Sequence, residues 1–251
     1  MQRPISDWGG NILAFLAVII VNGMANVIPI GGQTTGEVSA KYPSFFTPAG
    51  YVFSIWGLIY IGLTAFIVWQ ALPAQRQNQL LASIRLPFII SCAANSIWIV
   101  LWHSDLLVLS LLLMVVILVS LIKIYRTLNT AISSATLVER CVLYFPFSIY
   151  TSWITVASIA NLSAVQIGLG WDDVGIDAQA WTIIKIALAG AIAATVLFRV
   201  RDIAYVLVAV WACAGIAVKY QTVPMVNGAA SVVAVLGLLL IASELFSRSR
   251  H

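Results

Sequence analysis

Eight stretches of this chain, near residues 12–28, 50–72, 86–102, 106–125, 141–162, 180–198, 203–219 and 225–243, approach the about 20 apolar residues a helix needs to cross a hydrocarbon core of roughly 30 Å. Lipid offers no partner to backbone N–H and C=O groups, so each stretch has to satisfy its own hydrogen bonds as a helix. The sequence therefore predicts an all-α, polytopic membrane bundle of about eight transmembrane helices. Composition agrees: 61% of the 251 residues are hydrophobic and 9% are charged. With a mean hydropathy of +1.00, a soluble globular domain is excluded.

Charge predicts the orientation. With eight spans, the N-terminus, the even-numbered loops and the C-terminus share one side, which collects Arg3, Arg76, Arg85, Lys123, Arg126, Arg140, Arg199, Arg201, Arg248 and Arg250. The other side holds Lys41 and Lys219, and Lys185 falls inside a span. Basic loops stay in the cytoplasm. Both termini are therefore expected to be cytoplasmic, in a multi-pass protein integral to the cell membrane, and Asp172, Asp173 and Asp177 fall in an external loop. The net charge of +4 then reflects topology, and no nucleic-acid partner is expected. A rival reading exists for the N-terminus, where Arg3 and an apolar run ending at Gly23-Met24-Ala25 imitate a cleavable signal peptide. Cys92, Cys141 and Cys213 lack CxxC spacing and read as small buried apolar residues rather than a disulfide framework.

Two long external loops organise the chain. Loop 29–48 is rich in Gly, Thr, Pro and aromatics, which suits either a lid or an interfacial segment. Loop 163–179 separates five N-terminal spans from three dominated by Ala, Gly, Val and Leu. Ala189/Ala193 and Gly190/Ala194 follow the small-xxx-small spacing that lets helices approach closely. The span 106–125 is interrupted only by Ser110 and Ser120 and is expected to face lipid. There is no internal repeat to support an inverted-repeat transporter.

Polar and aromatic residues recur on single helix faces. Spacings of three or four, seven and eleven residues group Phe53, Trp56, Tyr60 and Thr64 in the second span. They group Ser91, Asn95, Trp98 and Trp102 in the third, and Tyr150, Trp153, Ala157 and Asn161 in the fifth. Asn22 and Asn26 lie one turn apart in the first. Asparagine is costly in lipid unless it meets protein or ligand, and Trp and Tyr offer flat faces with a polar edge. Together the stripes predict a pocket for a planar hydrophobic ligand, while single Trp residues near span ends (Trp69, Trp102, Trp181) read as packing or interfacial anchors.

Other chemistry finds little support. Histidine occurs only at His103 and His251, so a histidine metal site is not expected, and His103-Ser104-Asp105 reads as a tight turn. Walker-type, GxGxxG and GxSxG motifs are missing. No catalytic residues, metal ligands or resident cofactor are predicted. Lys185 reads as snorkelling to the outer interface with Asp177 or Asp173 as partner, an ion-pathway role being the alternative.

The segment Pro48-Ala49-Gly50-Tyr51-Val52-Phe53-Ser54-Ile55-Trp56-Gly57-Leu58-Ile59-Tyr60 resembles the signature of the TspO/MBR family of tryptophan-rich sensory and translocator proteins, roughly P-P-G-W-V-F-G-P-V-W-x-x-L-Y. Asn95, Trp98 and Trp102 resemble its third-helix N-x-x-W with a later aromatic, and Tyr150, Trp153 and Asn161 its fifth-helix Y-x-x-W-x7-N. The double proline is reduced to Pro48-Ala49, Tyr51 replaces a tryptophan, one residue is missing before Trp56, and Pro146 lies a turn before the expected proline. The resemblance covers about residues 10–166. It implies a five-helix bundle, often dimeric, whose pocket is closed by the first loop and takes porphyrin or sterol-like molecules. By position it implies Trp56, Asn95, Trp98, Tyr150 and Trp153 as pocket residues, with Asn161 in packing or the pocket. Tyr51 falls on the face opposite Trp56 and Tyr60.

The reading is thus a TspO-like five-helix membrane bundle over 1–166, with three additional transmembrane helices and a short cytoplasmic tail over 167–251. Trp56, Tyr60, Asn95, Trp98, Tyr150, Trp153 and Asn161 are the candidate ligand-binding residues. The expected function is binding, sensing or carrying a planar hydrophobic ligand, a tetrapyrrole first. The expected partners are that small molecule, the lipid bilayer and a second copy in a homodimer. A secondary transporter of a small solute and a porphyrin-degrading enzyme are the alternatives.

Overall fold

The computed structural model describes residues 3–28, 30–171 and 175–250, so Asp172 and Asp173 lie outside the described residues. Among the described residues there are helices and no strand. Eight main helices follow in chain order: α1 (Ile5–Val27), α2 (Ile55–Ala71), α3 (Gln79–His103), α4 (Leu107–Asn129), α5 (Phe145–Gly168), α6 (Ala178–Val200), α7 (Ile203–Lys219) and α8 (Pro224–Arg248). Among the described residues seven helices, α2 and α5 extended by their preceding turns, are long and apolar enough to cross a membrane. The chain is a multi-pass integral membrane protein. Where eight full spans were expected, α7 is apolar but 17 residues long.

Boundaries moved where polar residues are buried. The first helix begins at Ile5 behind Pro4, not near residue 12, because Asp7 and Asn11, which interrupt the apolar run, are buried on its inner face. Ser163 and Gln166 were expected in a loop, yet α5 continues to Gly168 and buries both. Loop 29–48 contains a helix of its own, Thr35–Ala40. Its start is held by Thr34 and Glu37: Glu37 donates its N–H to the Thr34 hydroxyl, and its carboxylate accepts from the Thr34 backbone and hydroxyl. Those bonds hold the exposed Glu37 carboxyl below its ordinary value. Cys92 and Cys213 are buried as expected, but Cys141 is exposed.

The chain divides into two compact units, Met1–Val38 with Ile55–Ile154, and Ser39–Ser54 with Thr155–His251. The division falls inside the first loop and inside α5.

The first unit is layered along α2. Near its start Trp56, stacked on Tyr60, meets aromatics of α5. Further along, Phe66 of α2, Phe88 of α3 and Phe147 of α5, all fully buried, meet edge to face with centroids 5.1–5.9 Å apart. In the last turn, Gln70 enters a buried network with α1. Arg3 donates to the Asp7 carboxylate and the Gln70 carbonyl Oε1, each at 2.8 Å, and Asn11 donates to the same Oε1 at 3.3 Å. Gln70 returns a bond to the Trp8 carbonyl. On α4, Leu107, Ser110, Met114, Ile117 and Ser120 are buried while Leu112, Val116 and Val119 are exposed, as for a helix with one packed face.

A π turn, Arg140–Tyr144, precedes α5. Pro146 has no N–H and its ring crowds the carbonyl four residues back, a conflict a widened turn relieves. The same ring explains Gly62 of α2, where a Cβ would lie 2.9 Å from Pro146 Cγ.

The second unit packs with small residues. Ile186, Ala189, Ala212, Cys213, Ile216, Val226 and Ala230 of α6–α8 form a core around Phe46, which is 1% exposed. The segment before α2 is seated on α7: Ala49 donates to the Gly215 carbonyl, the Trp211 indole donates to the Val52 carbonyl, and Tyr51 meets Trp211 edge to face. A Cβ on Gly215 would run into Val52 Cγ2. Helices α7 and α8 run antiparallel. Arg201, just before α7, meets Glu244 and Arg248, while Asn227 at the other end of α8 donates to the Ala217 carbonyl. The 17 residues of α7 thus cover about 26 Å of its neighbour at 1.5 Å per residue.

Gly62→Ala should lower stability by about 1–3 kcal/mol, the range for an overpacked contact. Gly57→Ala on the same helix, with nothing within 4 Å of its Cβ position, should not. Thermal unfolding in detergent checks the pair; equal melting temperatures would mean that α2 does not depend on the Pro146 contact.

Candidate functional site

Four aromatic residues converge in the first unit. Trp56 and Tyr60, one turn apart on α2, stack with centroids 5.4 Å apart and ring planes 24° from parallel. From α5, Tyr150 and Trp153 present edges to Trp56 at 5.9 and 6.2 Å. Both α5 residues are buried, and Trp56 and Tyr60 are partly exposed. Offset and edge-to-face arrangements of this kind are the favoured geometries of ring quadrupoles.

A chain of neutral hydrogen bonds fixes the cluster. Asn95 of α3, fully buried, donates from Nδ2 to the Tyr150 hydroxyl at 3.3 Å. Its Oδ1 accepts from Asn22 Nδ2 of α1 at 2.8 Å, and Asn22 also donates to the Val18 carbonyl at 3.0 Å. Three helices are thereby pinned at one depth. Trp98, one turn beyond Asn95, stacks on Trp102 with centroids 6.1 Å apart and planes 17° from parallel. The Trp102 indole donates to the Thr35 carbonyl at 3.3 Å, tying the start of the loop helix to α3.

The structure thus brings together Trp56, Tyr60, Tyr150, Trp153 and Asn95, and places Trp98 in a second stack on the helix that carries Asn95. Asn161 is buried on α5 but belongs to the second compact unit. The stripe on α2 ends at Tyr60, because Thr64 is exposed and its hydroxyl turns back to the Tyr60 carbonyl. Chemically the first-unit cluster offers flat apolar faces and neutral donors, suited to stacking and to orienting an acceptor edge. Among the described residues no group of three or more His, Cys, Asp or Glu is arranged to hold a metal ion.

Two expectations about charged residues need correction. Lys185 does not snorkel. It is 9% exposed and donates to the Ser163 hydroxyl at 2.9 Å and to the Gln166 carboxamide oxygen. Asp177, one of its two expected partners, caps α6 by accepting from the Gln179 and Ala180 N–H groups, and Asp173, the other, lies outside the described residues. The Arg3–Asp7–Asn11–Gln70 network was not anticipated at all. Its signal is present in the sequence, since Arg3, Asp7 and Asn11 follow one another at four-residue intervals, although Arg3 itself precedes the helix.

A family model described as TSPO-like protein matches residues 8–243. The chain belongs to this family, and the match extends through α6, α7 and most of α8, beyond the motifs of the first five spans. No curated protein and no solved structure matches the chain.

Asn95→Ala should cost more than Tyr150→Phe. The first strands a buried Asn22 donor and opens a cavity, for a loss of about 1–3 kcal/mol or more. The second leaves an Asn95 donor without its acceptor, but the lost bond is long, the ring contacts stay and no cavity opens, for about 1 kcal/mol, the low end of the same range. Melting of both variants in detergent decides; a Tyr150→Phe loss as large as that of Asn95→Ala would show that Asn95 is not the junction of the network.

Proposed function

We propose that this TSPO-like membrane protein binds a planar hydrophobic ligand, a tetrapyrrole as first candidate, and senses or carries it within the bilayer. Trp56, Tyr60, Asn95, Trp98, Tyr150 and Trp153 are its binding residues, within the bundle 1–166. One observation supports this above the rest: aromatic faces from α2 and α5 gather in one compact unit beside a neutral hydrogen-bond chain from α1 and α3. Apolar burial and stacking supply affinity, and the Tyr150 and Asn95 groups supply orientation. We assign Asn161 to helix packing. Transport of a small solute draws its support from the three additional helices and from Lys185, which donates to Ser163 and Gln166.

The α7 helix is the eighth crossing on this reading. It runs back along α8 between contacts near both ends of that helix, so it returns the chain to the opposite face. Both termini then lie on one side, and the excess of Arg and Lys assigns that side to the cytoplasm. Cysteines introduced as Gly36→Cys and Gly175→Cys should react with an impermeant maleimide added outside intact cells, and Arg248→Cys should not. External labelling of both Gly36→Cys and Arg248→Cys would remove α7 from the list of crossings.

Ligand binding is best tested in the full chain, because Phe46, Ala49 and Val52 of the first loop are seated on α6–α8. Trp98→Ala and Trp153→Ala should each weaken protoporphyrin binding by about 1–3 kcal/mol, the scale of a truncated aromatic contact. Trp69→Ala should leave it unchanged. Tryptophan quenching and thermal shift measure the effect once each variant melts like the parent. Well-folded Trp98→Ala and Trp153→Ala proteins that bind as tightly as the parent would reduce the aromatic stripes to packing.

A further inference from the structure

Helices α6 and α8 approach closely where α6 is reduced to glycine and alanine: a Cβ on Gly190 would lie 2.8 Å from Val233 Cγ1. Beside that contact the short side chains leave space unfilled. A cavity of about 310 Å³ lies within the second unit, between Ala187 and Ala191 of α6, Ala209 of α7, and Leu236 and Leu240 of α8. Ala209 is buried, whereas Ala187, Ala191 and Leu236 are exposed, so the cavity is a cleft that opens outward. Its volume falls at the lower end of the roughly 300–1,000 Å³ of ligand pockets. An apolar void forfeits dispersion contacts along every wall, and in a bilayer the apolar group at hand is a lipid chain.

The cleft ends in charge. Glu244 follows Leu240 by one turn of α8, about 6 Å further along the helix. There two guanidinium groups share its carboxylate, Arg248 at 2.7 Å and Arg201 at 3.9 Å. Arg248 also donates to the Arg201 carbonyl, which ties the end of α6 to the end of α8. One carboxylate offsets only one of the two positive charges, and Arg199 adds another two residues before Arg201. The Arg201 and Arg248 side chains are 63% and 46% exposed, which leaves N–H groups of both open to a ligand. Arginine grips phosphate oxygens through paired N–H donors, and basic residues at the end of a cleft between membrane helices suit an anionic head group.

We propose that this cleft binds one anionic phospholipid, with an acyl chain along Ala187, Ala191 and Leu240 and the phosphate accepting from Arg201 and Arg248. A zwitterionic lipid brings the same chains and phosphate but adds a cation, which the surplus positive charge repels. The site is independent of the aromatic cluster of the first unit.

The test is native mass spectrometry of the full chain, released from uncharged detergent micelles that contain palmitoyl-oleoyl phosphatidylglycerol or palmitoyl-oleoyl phosphatidylcholine. One phosphatidylglycerol per chain should be retained, with an affinity about tenfold or more above that of phosphatidylcholine. Replacing both arginines, Arg201→Gln with Arg248→Gln, should abolish the preference. Glu244→Gln, which removes the competing carboxylate, should strengthen it. Ala191→Leu fills the cleft from its exposed side and should weaken retention of both lipids, while Arg126→Gln, an exposed arginine of the first unit, should change nothing. Each variant is compared after it melts like the parent, and Glu244→Gln and Ala191→Leu decide if the double variant does not fold. Equal retention of the two lipids, a parental preference in the folded double variant or in Glu244→Gln, or a dimer that Ala191→Leu disrupts while lipid retention stays parental would overturn the proposal.

Discussion

A polar side chain inside a bilayer has only the protein to bond with, and in this protein that restriction decides where helices meet. Asn22, Asn95 and Tyr150 join α1, α3 and α5 at one depth. Arg3, Asp7, Asn11 and Gln70 join α1 to the last turn of α2 at another. Between them sits the Phe66–Phe88–Phe147 triad, which is apolar and less particular about register. Rotating or sliding α1 would break both networks and strand several buried donors at once. The buried Arg3–Asp7 pair is weak evidence for added stability, because desolvation offsets much of its attraction. Its effect is on specificity: few arrangements of these helices satisfy every member.

The second unit meets the same solvent with a different device. Its helices carry few polar groups and pack through Ala and Gly, where close approach makes up in dispersion what hydrophobic exclusion cannot supply between helices in lipid. Gly190 and Gly237 mark close approaches between its helices, with Val233 and Val210 where a Cβ would be. Gly215 does the same for the loop, admitting Val52 against α7. That seat explains why residues 39–54 group with α6–α8, far away in sequence.

The sequence made the helices legible because apolar runs of membrane length have few other fates. The pairing of Trp56 and Tyr60 with Tyr150 and Trp153 was legible from helical spacing on two strongly periodic segments. A four-residue stripe presumes one continuous α-helix, whereas Gly50–Ser54 is a 3₁₀ turn that shifts the phase of Phe53 against Trp56 and Tyr60; Thr64 lies on the same helix as those two, yet it is exposed and its hydroxyl is satisfied by the Tyr60 carbonyl. Averaged hydropathy trimmed Asp7 and Asn11 from the first helix, since it scores each residue alone and cannot see that Gln70 waits for them. The burial of Lys185 is hidden for the same reason: Ser163 and Gln166, which accept from it, lie in a helical turn that composition reads as loop. The resemblance stopped near residue 166 because short motifs need unusual residues, and Ala- and Val-rich helices carry none, though a family-wide pattern continues to residue 243.

The hydrogen-bond chain also constrains what kind of recognition the proposed ligand site performs. Asn95 spends its oxygen on Asn22 and an N–H on Tyr150, so most of its capacity is committed before any ligand arrives. Tyr150 accepts from Asn95 and keeps its own proton, which polarisation by that bond makes a better donor. A ligand with one acceptor edge would gain an oriented bond there. The other contacts of the proposed site would be ring faces and edges, which discriminate by flatness and size rather than by a pattern of donors and acceptors. Rejection by shape is shallow compared with rejection through unpaired polar groups. Such a site favours a class of flat molecules over one member of it, and exchange with the surrounding lipid, rather than tight capture, is the behaviour its chemistry supports.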